Sequence, residues 1–211
     1  MTRRVLIVDD HEVVRDGVKR LLEEQPGAIT CGEAGTPDEA IRSARASEWD
    51  AVVLDLSFAG KSGLDVLKEL KQIRPRLPVL VLTMHSEEQY ARRAFKAGAA
   101  GFITKDSPRA ELSKAIHKVM EGGRYLSAAL AEKLVVDLDR GVDRPPDETL
   151  SDREFQVMRL IASGKTLTEI AELLSLSDKT ISTYRARIME KMRMRTNAEL
   201  IHYAIQNKIV Y

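Results

Sequence analysis

Cysteine, aromatic residues and long apolar runs are scarce in this chain. Cys31 is the one cysteine among 211 residues, so no internal disulfide can form, which fits a reducing compartment. Near the N-terminus only residues 5–8 are continuously apolar, far fewer than a signal peptide or a membrane span requires. We therefore expect a cytoplasmic protein without a membrane partner.

The net charge is also small, since 33 Lys and Arg residues nearly balance 32 Asp and Glu residues. The balance hides an asymmetry between two parts of the chain. Residues 1–149 carry 23 basic and 25 acidic side chains, whereas residues 150–211 carry 10 basic and 7 acidic ones. The length is sufficient for two ordinary domains. Only residues 150–211 carry more basic than acidic side chains.

The first 121 residues contain a regular alternation of short apolar runs and helix-period segments. The runs include many β-branched residues, which is typical of strands covered on both faces. Five such strand–helix units predict a parallel sheet with helices on both faces, because parallel neighbours need crossover connections. The predicted strands are 4–8, 28–34, 51–54, 78–82 and 101–104, and the predicted helices are 12–24, 37–46, 63–73, 87–97 and 108–121.

Polar side chains stand at four of the five strand ends. Strand one ends in Asp9 and Asp10, strand three in Asp55, strand four in Thr83 and strand five in Lys105. Asp55 alone is equally well explained as a helix cap, but the carboxyl ends of parallel strands share the sheet edge where ligands bind. The three carboxylates suit Mg²⁺. Asp55 suits a nucleophile toward a phosphoryl group, whose oxygens Lys105 and Thr83 would contact.

These residues resemble the receiver domain of two-component response regulators. The matching motifs are VDD after strand one, DLxxxxxSG from Asp55, LT after strand four and GFITK at strand five. The resemblance implies an α/β flavodoxin-like fold with a five-stranded parallel sheet. It also implies that Asp55 accepts phosphate from a sensor histidine kinase, that Asp9 and Asp10 hold Mg²⁺, and that Thr83 and Lys105 contact the phosphoryl group.

The same resemblance bears on four further positions. Phe102 stands at the aromatic switch position, which in the family turns inward when the threonine moves toward the phosphate. The family usually has Met-Pro three and four residues after the acceptor, where this chain has Phe58 and Ala59. Gly63 stands where the family has glycine.

Residues 122–149 change character, and we interpret them as a linker between a receiver domain over 1–121 and a second domain over 150–211. Gly122 and Gly123 end the fifth helix. Residues 126–138 can form a short amphipathic helix, whereas residues 139–148 are charged, contain proline and glycine, and lack an apolar period.

The second domain has an all-helical pattern, with a capping box of Ser151 and Glu154 at its start. The four predicted helices are 151–163, 168–174, 178–192 and 197–206. Six Lys or Arg residues and one acidic residue lie within 179–195. A basic helix that follows a helix and a tight turn is typical of a recognition helix in the major groove. From charge alone, a solvated cationic face on an interaction domain is a fair alternative.

Residues 150–204 resemble the LuxR-type helix-turn-helix domain of NarL/FixJ-type regulators. They follow its pattern LTxRExxVLxLIAxGxxxxEIAxxLxxSxxTVxxHxxxIxxKL, with Tyr184 in place of the more common His and Ser182 where many members have Lys. The resemblance implies double-stranded promoter or operator DNA as a partner and a homodimer when the protein is phosphorylated. RNA polymerase is a candidate further partner.

The third helix of this domain has two faces, of which the apolar one is committed to the core. That face consists of Ile181, Ile188 and Met192. We predict that base edges meet Ser182, Thr183 and Ala186, that a guanine or phosphate is reached by Arg185 and Arg187, and that backbone phosphates meet Lys179, Thr180 and Lys191.

Two other functions compete with a phosphorylation-controlled transcription regulator. A phosphatase or phosphotransferase of the haloacid-dehalogenase type would carry a second Asp two residues after its strand-one nucleophile, where this chain has His11 after Asp9. An adaptor would use its helical domain to bind protein. A gel-shift experiment over a salt series would then detect no DNA binding. We expect a phosphorylation-controlled transcription regulator and not an enzyme.

Overall fold

The computed structural model describes residues 2–24, 28–58, 61–84, 87–128, 130–132, 145–207 and 209–210. The chain divides into two compact units, Met1–Val136 and Asp137–Tyr211. Of the helix predicted over 126–138, residues 128 and 130–132 are helical, and residues 129 and 133–138 lie outside the described residues, as do residues 139–144 of the predicted linker.

The first unit is a five-stranded parallel sheet in the order β2-β1-β3-β4-β5, which confirms the flavodoxin-like fold. The strands are β1 Arg3–Val8, β2 Ile29–Ala34, β3 Ala51–Leu54, β4 Val79–Thr83 and β5 Gly101–Thr104. The helices are α1 Glu12–Glu23, α2 Pro37–Ala46, α3 Gly63–Ile73, α4 Glu87–Lys96 and α5 Arg109–Met120. Predicted and observed bounds differ by one or two residues, as helix and strand ends usually do.

Both faces of the sheet are buried, as the continuous apolar runs predict. Alternate strand residues, among them Ile7, Val53 and Leu80, join a core that also contains Val18 of α1 and Ile116 of α5. The residues between them, such as Leu6, Val52 and Phe102, are buried as well, and they point to the opposite face because side chains alternate along a strand. Each fully buried large apolar side chain contributes roughly 1.5–3 kcal/mol.

The strand register brings the first acidic pair next to the central strand. Val8 at the end of β1 pairs with Leu54 at the end of β3, and the amide of Asp55 donates to the carbonyl of Val8 at 2.9 Å. The strand order reverses direction between β1 and β3, which is where open α/β sheets form their crevice. Asp9 and Asp55 therefore leave neighbouring strands at the mouth of that crevice.

The second unit contains the four predicted helices, α6 Asp152–Ala162, α7 Leu167–Leu173, α8 Asp178–Met192 and α9 Asn197–Gln206. The predicted capping box of Ser151 and Glu154 is present, and a second one, formed by Thr166 and Glu169, begins α7. In the described part of the chain, no helix combines the length and the apolarity that a membrane span requires.

A short 3₁₀ helix, Pro146–Thr149, precedes α6 where the sequence suggested linker. Asp147 in this helix is buried, and its Oδ1 accepts a hydrogen bond of 2.5 Å from the hydroxyl of Tyr203 on α9. The segment carries no apolar period, and this hydrogen bond joins it to a partner 56 residues further along the chain. Sequence periodicity cannot detect such a contact.

Candidate functional site

Three of the predicted strand-end residues meet in direct contact. The Nζ atom of Lys105 lies 2.7 Å from Oδ2 of Asp9 and 2.7 Å from Oδ2 of Asp55. Asp55 is 1% exposed and Asp9 is 2% exposed. The other carboxylate oxygen of Asp55, Oδ1, accepts a hydrogen bond of 2.6 Å from the amide of Leu56. The structure thus gathers one cation and two carboxylates in a buried cluster.

Burial and charge act in opposite directions on this cluster. Burial raises the pKa of the Asp55 carboxyl, and the nearby Asp9 adds to this, while the hydrogen bond and charge of Lys105 act against it. Burial by itself would lower the pKa of Lys105, but its hydrogen bonds to Asp55 and Asp9 outweigh burial and raise it. Lys105 is consequently held as an ammonium ion beside Asp55.

Asp10 lies at the rim of the same cluster, with 36% of its side chain exposed. Asp9, Asp10, His11 and Asp55 each offer a ligand atom, and these atoms all lie within 4.8 Å of one another. The three carboxylates come from two neighbouring strand ends, as predicted, whereas His11 was not among the residues predicted for this site. The feature of the sequence that could have indicated His11 is its position directly after Asp9 and Asp10.

The β1–α1 loop is held by Arg15, which was not among the predicted site residues. Its Nη1 donates to the main-chain oxygen of Asp9 at 2.8 Å, while its Nε lies 3.4 Å from a carboxylate oxygen of Glu33 on β2. The side chain of His11 also contacts the loop, since its Nδ1 lies 2.7 Å from Oδ1 of Asp10 and 3.3 Å from Oδ1 of Asp9. These contacts fix the acidic pair relative to the sheet.

Gly63 allows α3 to begin against the loop that carries Asp55. A Cβ atom at position 63 would collide with Cα of Leu56 and would lie 2.8 Å from the main-chain oxygen of Asp55. The amide of Gly63 donates to the carbonyl of Leu56 at 3.2 Å. Only glycine fits this approach without moving the loop. Phe58 in the same loop is buried, and Ala59 lies outside the described residues.

Thr83 and Phe102 lie on one face of the sheet. Thr83 is the last residue of β4 and is buried, and Phe102 of β5 pairs in register with Val81, two residues before Thr83. Residues two apart on a strand share a face. The main-chain oxygen of Thr83 accepts the amide hydrogen of Lys105 at 2.8 Å, so the predicted switch residues are close in the fold to the cation. The Phe102 side chain is buried.

In the second unit, α7, a turn and α8 form a helix-turn-helix whose parts are joined by hydrogen bonds. Nη2 of Arg153 on α6 donates to the carbonyl of Leu174 in the turn at 3.2 Å. The hydroxyl of Thr168 on α7 donates to Asp178 at the start of α8 at 3.0 Å. The predicted apolar face of α8 is buried and consists of Ile181, Ile188 and Met192.

The opposite face of α8 is exposed, and the structure places five of the eight predicted DNA contacts there. They are Lys179, Ser182, Thr183, Ala186 and Arg187. The hydroxyl of Thr183 donates to the main-chain oxygen of Lys179 at 2.9 Å, which leaves the Thr183 oxygen able to accept.

The other three predicted DNA contacts have partners within the protein. The Thr180 hydroxyl lies 2.8 Å from the hydroxyl of Ser177, the residue that caps α8. Nε of Arg185 donates to the side chain of Asn197 on α9 at 2.8 Å. Nζ of Lys191 lies 2.6 Å from the buried carboxylate of Glu154 on α6. These partners lie 3, 12 and 37 residues away.

Comparisons with known proteins agree with this geometry. The model of the response regulator receiver domain matches residues 5–117, and the model of bacterial regulatory proteins of the luxR family matches residues 148–204. The chain is a response regulator of the NarL/FixJ type. It carries a receiver domain and a LuxR-type DNA-binding domain, and it belongs among the regulators of transcription.

Similar response regulators cover nearly the whole chain. Response regulator UvrY of Escherichia coli O6:H1 is 35% identical over 204 residues, which is 96% of this chain and 94% of UvrY. Response regulator GacA of Pseudomonas viridiflava is 35% identical over 208 residues, 98% of this chain and 97% of GacA. The solved complex of the two-component response regulator RcsB with DNA is 26% identical, covers 100% of both chains and has a TM-score of 0.60.

Proposed function

We propose that Asp55 is the phosphoacceptor of this response regulator and that a sensor histidine kinase is the phosphoryl donor. The observation that carries the proposal is the ammonium of Lys105, which lies 2.7 Å from a carboxylate oxygen of Asp55 and of Asp9. The cluster stands in the crevice where α/β sheets bind ligands. An ammonium fixed there can compensate the charge of the transferred phosphoryl group.

In the transfer step, a carboxylate oxygen of Asp55 attacks the phosphorus of a phosphohistidine on the kinase. The new P–O bond forms as the P–N bond breaks, and the histidine leaves with the electron pair of that bond. Asp55 becomes an acyl phosphate. The positive charge of Lys105 then faces the negatively charged phosphoryl oxygens, and the hydroxyl of Thr83 donates a hydrogen bond to one of them.

Mg²⁺ fits the donor set of the same pocket. Asp9, Asp10 and Asp55 contribute carboxylate oxygens to the group whose ligand atoms lie within 4.8 Å of one another, and Mg²⁺ prefers such hard oxygen ligands. We propose that these three residues hold the ion. When bound, it neutralises negative charge between Asp55 and the incoming phosphoryl group.

Phosphorylation is proposed to reach the rest of the receiver through Thr83 and Phe102. Both side chains lie on one face of the sheet, on the neighbouring strands β4 and β5. A shift of the Thr83 hydroxyl toward the phosphoryl group changes the space beside Phe102, which is buried in the present arrangement. Close packing turns a small shift of this kind into a rearrangement of the α4–β5 surface.

For DNA, we propose that α8 enters the major groove with the face of Ser182, Thr183 and Ala186 toward base edges. Lys179 and Arg187 flank this face and are exposed, so they are free to reach phosphates or a guanine. Lys191 and Arg185 are instead proposed to hold α8 in position through Glu154 and Asn197. The hydroxyl and the amide of Thr180 both bond to the side chain of Ser177, the residue that caps α8.

The partners follow from these two sites. The DNA-bound structure of the similar regulator RcsB supports promoter or operator DNA as a ligand. A further RcsB structure contains two RcsB dimers bound to two parallel DNAs, which supports a homodimer. That phosphorylation favours the dimer is our proposal. Because the operator lies in genomic DNA, we propose that the regulator works in the cytoplasm. Contact with RNA polymerase stays a prediction.

The decisive experiment labels the full chain with acetyl phosphate and Mg²⁺ and maps the product by mass spectrometry. The wild type and Asp16→Asn, an exposed carboxylate on α1, are expected to carry one phosphoryl group at Asp55. Asp55→Asn is expected to carry none. Undiminished labelling of Asp55→Asn at another residue would contradict the assignment of the acceptor.

A further inference from the structure

Arg15 places a guanidinium at the carboxyl end of β2. That strand ends in Ala34, which Gly35 follows, so it supplies no polar side chain at its end. A Cβ atom at position 35 would lie 3.5 Å from Nη1 of Arg15. The Arg15 side chain is only 17% exposed, and its Nε lies 3.4 Å from Oε2 of Glu33 on β2. A cation from α1 therefore occupies the part of the sheet edge that β2 leaves without a polar group.

The carbonyl that Arg15 holds belongs to the peptide unit between Asp9 and Asp10. Nη1 of Arg15 donates to this main-chain oxygen at 2.8 Å. Because a peptide unit is planar, fixing its orientation constrains the Cα atoms of both acidic residues. The amide of Asp9 also donates to the carbonyl of Ala34 at 3.2 Å. The main chain of the acidic pair is thus attached to β2 directly, and a second time through Arg15 and Glu33.

Glu33 compensates the charge that Arg15 brings close to a cation site. Its carboxylate lies 2.9 Å from Nζ of Lys19 as well as 3.4 Å from Nε of Arg15. The hydrogen bonds from Lys19 and Arg15 outweigh burial and lower the pKa of Glu33, so the group is a carboxylate at neutral pH. A guanidinium without such a partner would repel a divalent cation. The pair with Glu33 lets Arg15 bind the main chain with less repulsion.

We propose that Arg15 is a positioning residue for phosphorylation at Asp55, because it orients the peptide between Asp9 and Asp10 so that both carboxylates can hold Mg²⁺. Glu33 acts through Arg15. The inference rests on the Mg²⁺ site proposed above. Charge and position predict opposite effects here. Removing a nearby cation would by itself strengthen the binding of a divalent cation, whereas removing a group that orients two metal ligands should weaken it by about tenfold or more.

Calorimetric titration of the full chain with Mg²⁺, without a phosphoryl donor, measures this effect independently of the phosphorylation reaction. Arg15→Met keeps an unbranched side chain and is expected to bind Mg²⁺ about tenfold more weakly. The matched control is Lys19→Met, which removes the other cation beside Glu33 and should bind like the wild type. Among the contacts of the described residues, Lys19 has none with Asp9. Glu33→Gln should weaken binding in the wild type and add no further loss to Arg15→Met.

Phosphorylation by acetyl phosphate over a range of Mg²⁺ concentrations separates positioning from a loosened fold. Arg15→Met should need about tenfold more Mg²⁺ for half of its maximal rate. Its rate at saturating Mg²⁺ should stay within about twofold of the wild type, because Asp55 and Lys105 are unchanged. A lower maximal rate with an unchanged Mg²⁺ dependence would contradict the inference. If Arg15→Met does not unfold cooperatively, Arg15→Lys replaces it. This variant keeps the charge but loses the planar fork of donors, and it should still bind Mg²⁺ more weakly than the wild type.

The outcomes distinguish failure of this inference from failure of the proposed Mg²⁺ site. If Asp9→Asn binds Mg²⁺ as tightly as the wild type, or if neither binds it, the site is refuted, and the role of Arg15 is refuted with it. If Asp9→Asn weakens binding but the Arg15 variants bind as tightly as the wild type or more tightly, the site stands and the inference is wrong. Equal weakening by Arg15→Met and Lys19→Met would also contradict it, because only Arg15 contacts the acidic pair.

Discussion

At the scale of single residues, the two oxygens of Asp55 have separate partners. Oδ1 accepts from the amide of Leu56, so the main chain orients the carboxylate, whereas Oδ2 faces the ammonium of Lys105. Orientation and charge compensation are thus supplied by different groups. A substitution of Lys105 should therefore affect the chemistry at Asp55 more than the direction in which the carboxylate points.

Replacing Lys105 with Ala should slow phosphorylation by acetyl phosphate by roughly 100-fold, the typical loss when one charge-stabilising donor is removed from a reaction site. The control is Lys114→Ala, which removes an exposed lysine from α5 and should label at the wild-type rate. Both rates are measured with radiolabelled acetyl phosphate. Normal labelling of Lys105→Ala together with a normal DNA response would refute the role of Lys105.

On α8, the helix proposed to enter the major groove, Thr183 and Lys179 should have different effects when replaced with Ala. Thr183 donates its hydroxyl hydrogen to the carbonyl of Lys179, so its oxygen can accept from adenine N6 or cytosine N4. Thr183→Ala should change preference at one or two positions per half-site, by roughly 1–3 kcal/mol each. Lys179→Ala should weaken all duplexes alike and lower the salt slope by about one unit.

Gel shifts with operator variants over a salt series measure both effects. The wild type supplies the reference preference and the reference slope. If Thr183→Ala weakened binding to every sequence equally while Lys179→Ala altered base preference, the roles proposed for the two residues would be the wrong way round.

At the scale of elements, α8 is attached to the other helices near both ends. Asp178 at its start accepts from Thr168 of α7, and Lys191 near its end pairs with Glu154 of α6. Between them Arg185 donates to Asn197 of α9. An exposed face that reads DNA needs such support, because small errors in position weaken base contacts.

Lys191→Met should destabilise the second unit by about 1–3 kcal/mol, because the buried carboxylate of Glu154 loses a charged partner. Glu154 keeps its hydrogen bond from the amide of Ser151, at 2.7 Å, so the loss is partial. Hydrogen exchange read on peptides from α6 and α8 measures the change. Lys179→Ala, which removes an exposed lysine from the same helix, is the control and should leave exchange unchanged.

The same ion pair predicts an acid dependence. Burial acts to raise the pKa of Glu154, but the hydrogen bonds from Lys191 and Ser151 outweigh it and lower the pKa. A carboxyl with a lowered folded-state pKa stabilises the fold above its unfolded pKa of about 4.3, and this stabilisation is lost as the pH falls through the folded-state value. Lys191→Met should therefore differ from the wild type at neutral pH and converge with it in acid. A difference that persists below the folded-state pKa would contradict the ion-pair explanation.

At the scale of the whole molecule, the second unit extends beyond the helices recognised in the sequence. The 3₁₀ helix Pro146–Thr149 contributes a buried carboxylate, Asp147, to the hydroxyl of Tyr203 on α9. We therefore propose that the DNA-binding domain begins at about Pro146 and that the linker ends there.

Tyr203→Phe should destabilise the second unit by about 1–3 kcal/mol, because Asp147 then keeps its burial and loses a donor. Calorimetry of the full chain measures the loss, and Tyr184→Phe, at a half-buried position of α8, is the matched control. Equal melting of Tyr203→Phe and the wild type would show that the 3₁₀ helix is attached by its other contacts.

Phosphorylation is expected to convert the monomer to a dimer. Beryllofluoride, which mimics the acyl phosphate on Asp55, should double the mass measured by light scattering, and Asp55→Asn should not respond. A wild type that stays monomeric and still gains DNA affinity would show that relief of inhibition by the receiver, and not dimerisation, is the switch.

The sequence by itself determined the elements and the residue types at their ends. Apolar period and β-branched runs depend on neighbours within a few positions, so they predicted the five strands and nine of the described helices to within one or two residues. The placement of Asp9, Asp55 and Lys105 at one edge then followed, because parallel strands bring their carboxyl ends together.

Only the tertiary structure decided which partners these side chains have. The sequence predicted a contact of Lys191 with a backbone phosphate, but its partner Glu154 lies 37 residues away, and Tyr203 lies 56 residues from Asp147. The turn of His11 onto the acidic pair depends on a side-chain rotation that no sequence pattern encodes. A periodic pattern specifies the direction of a side chain, whereas its partner depends on how distant elements pack.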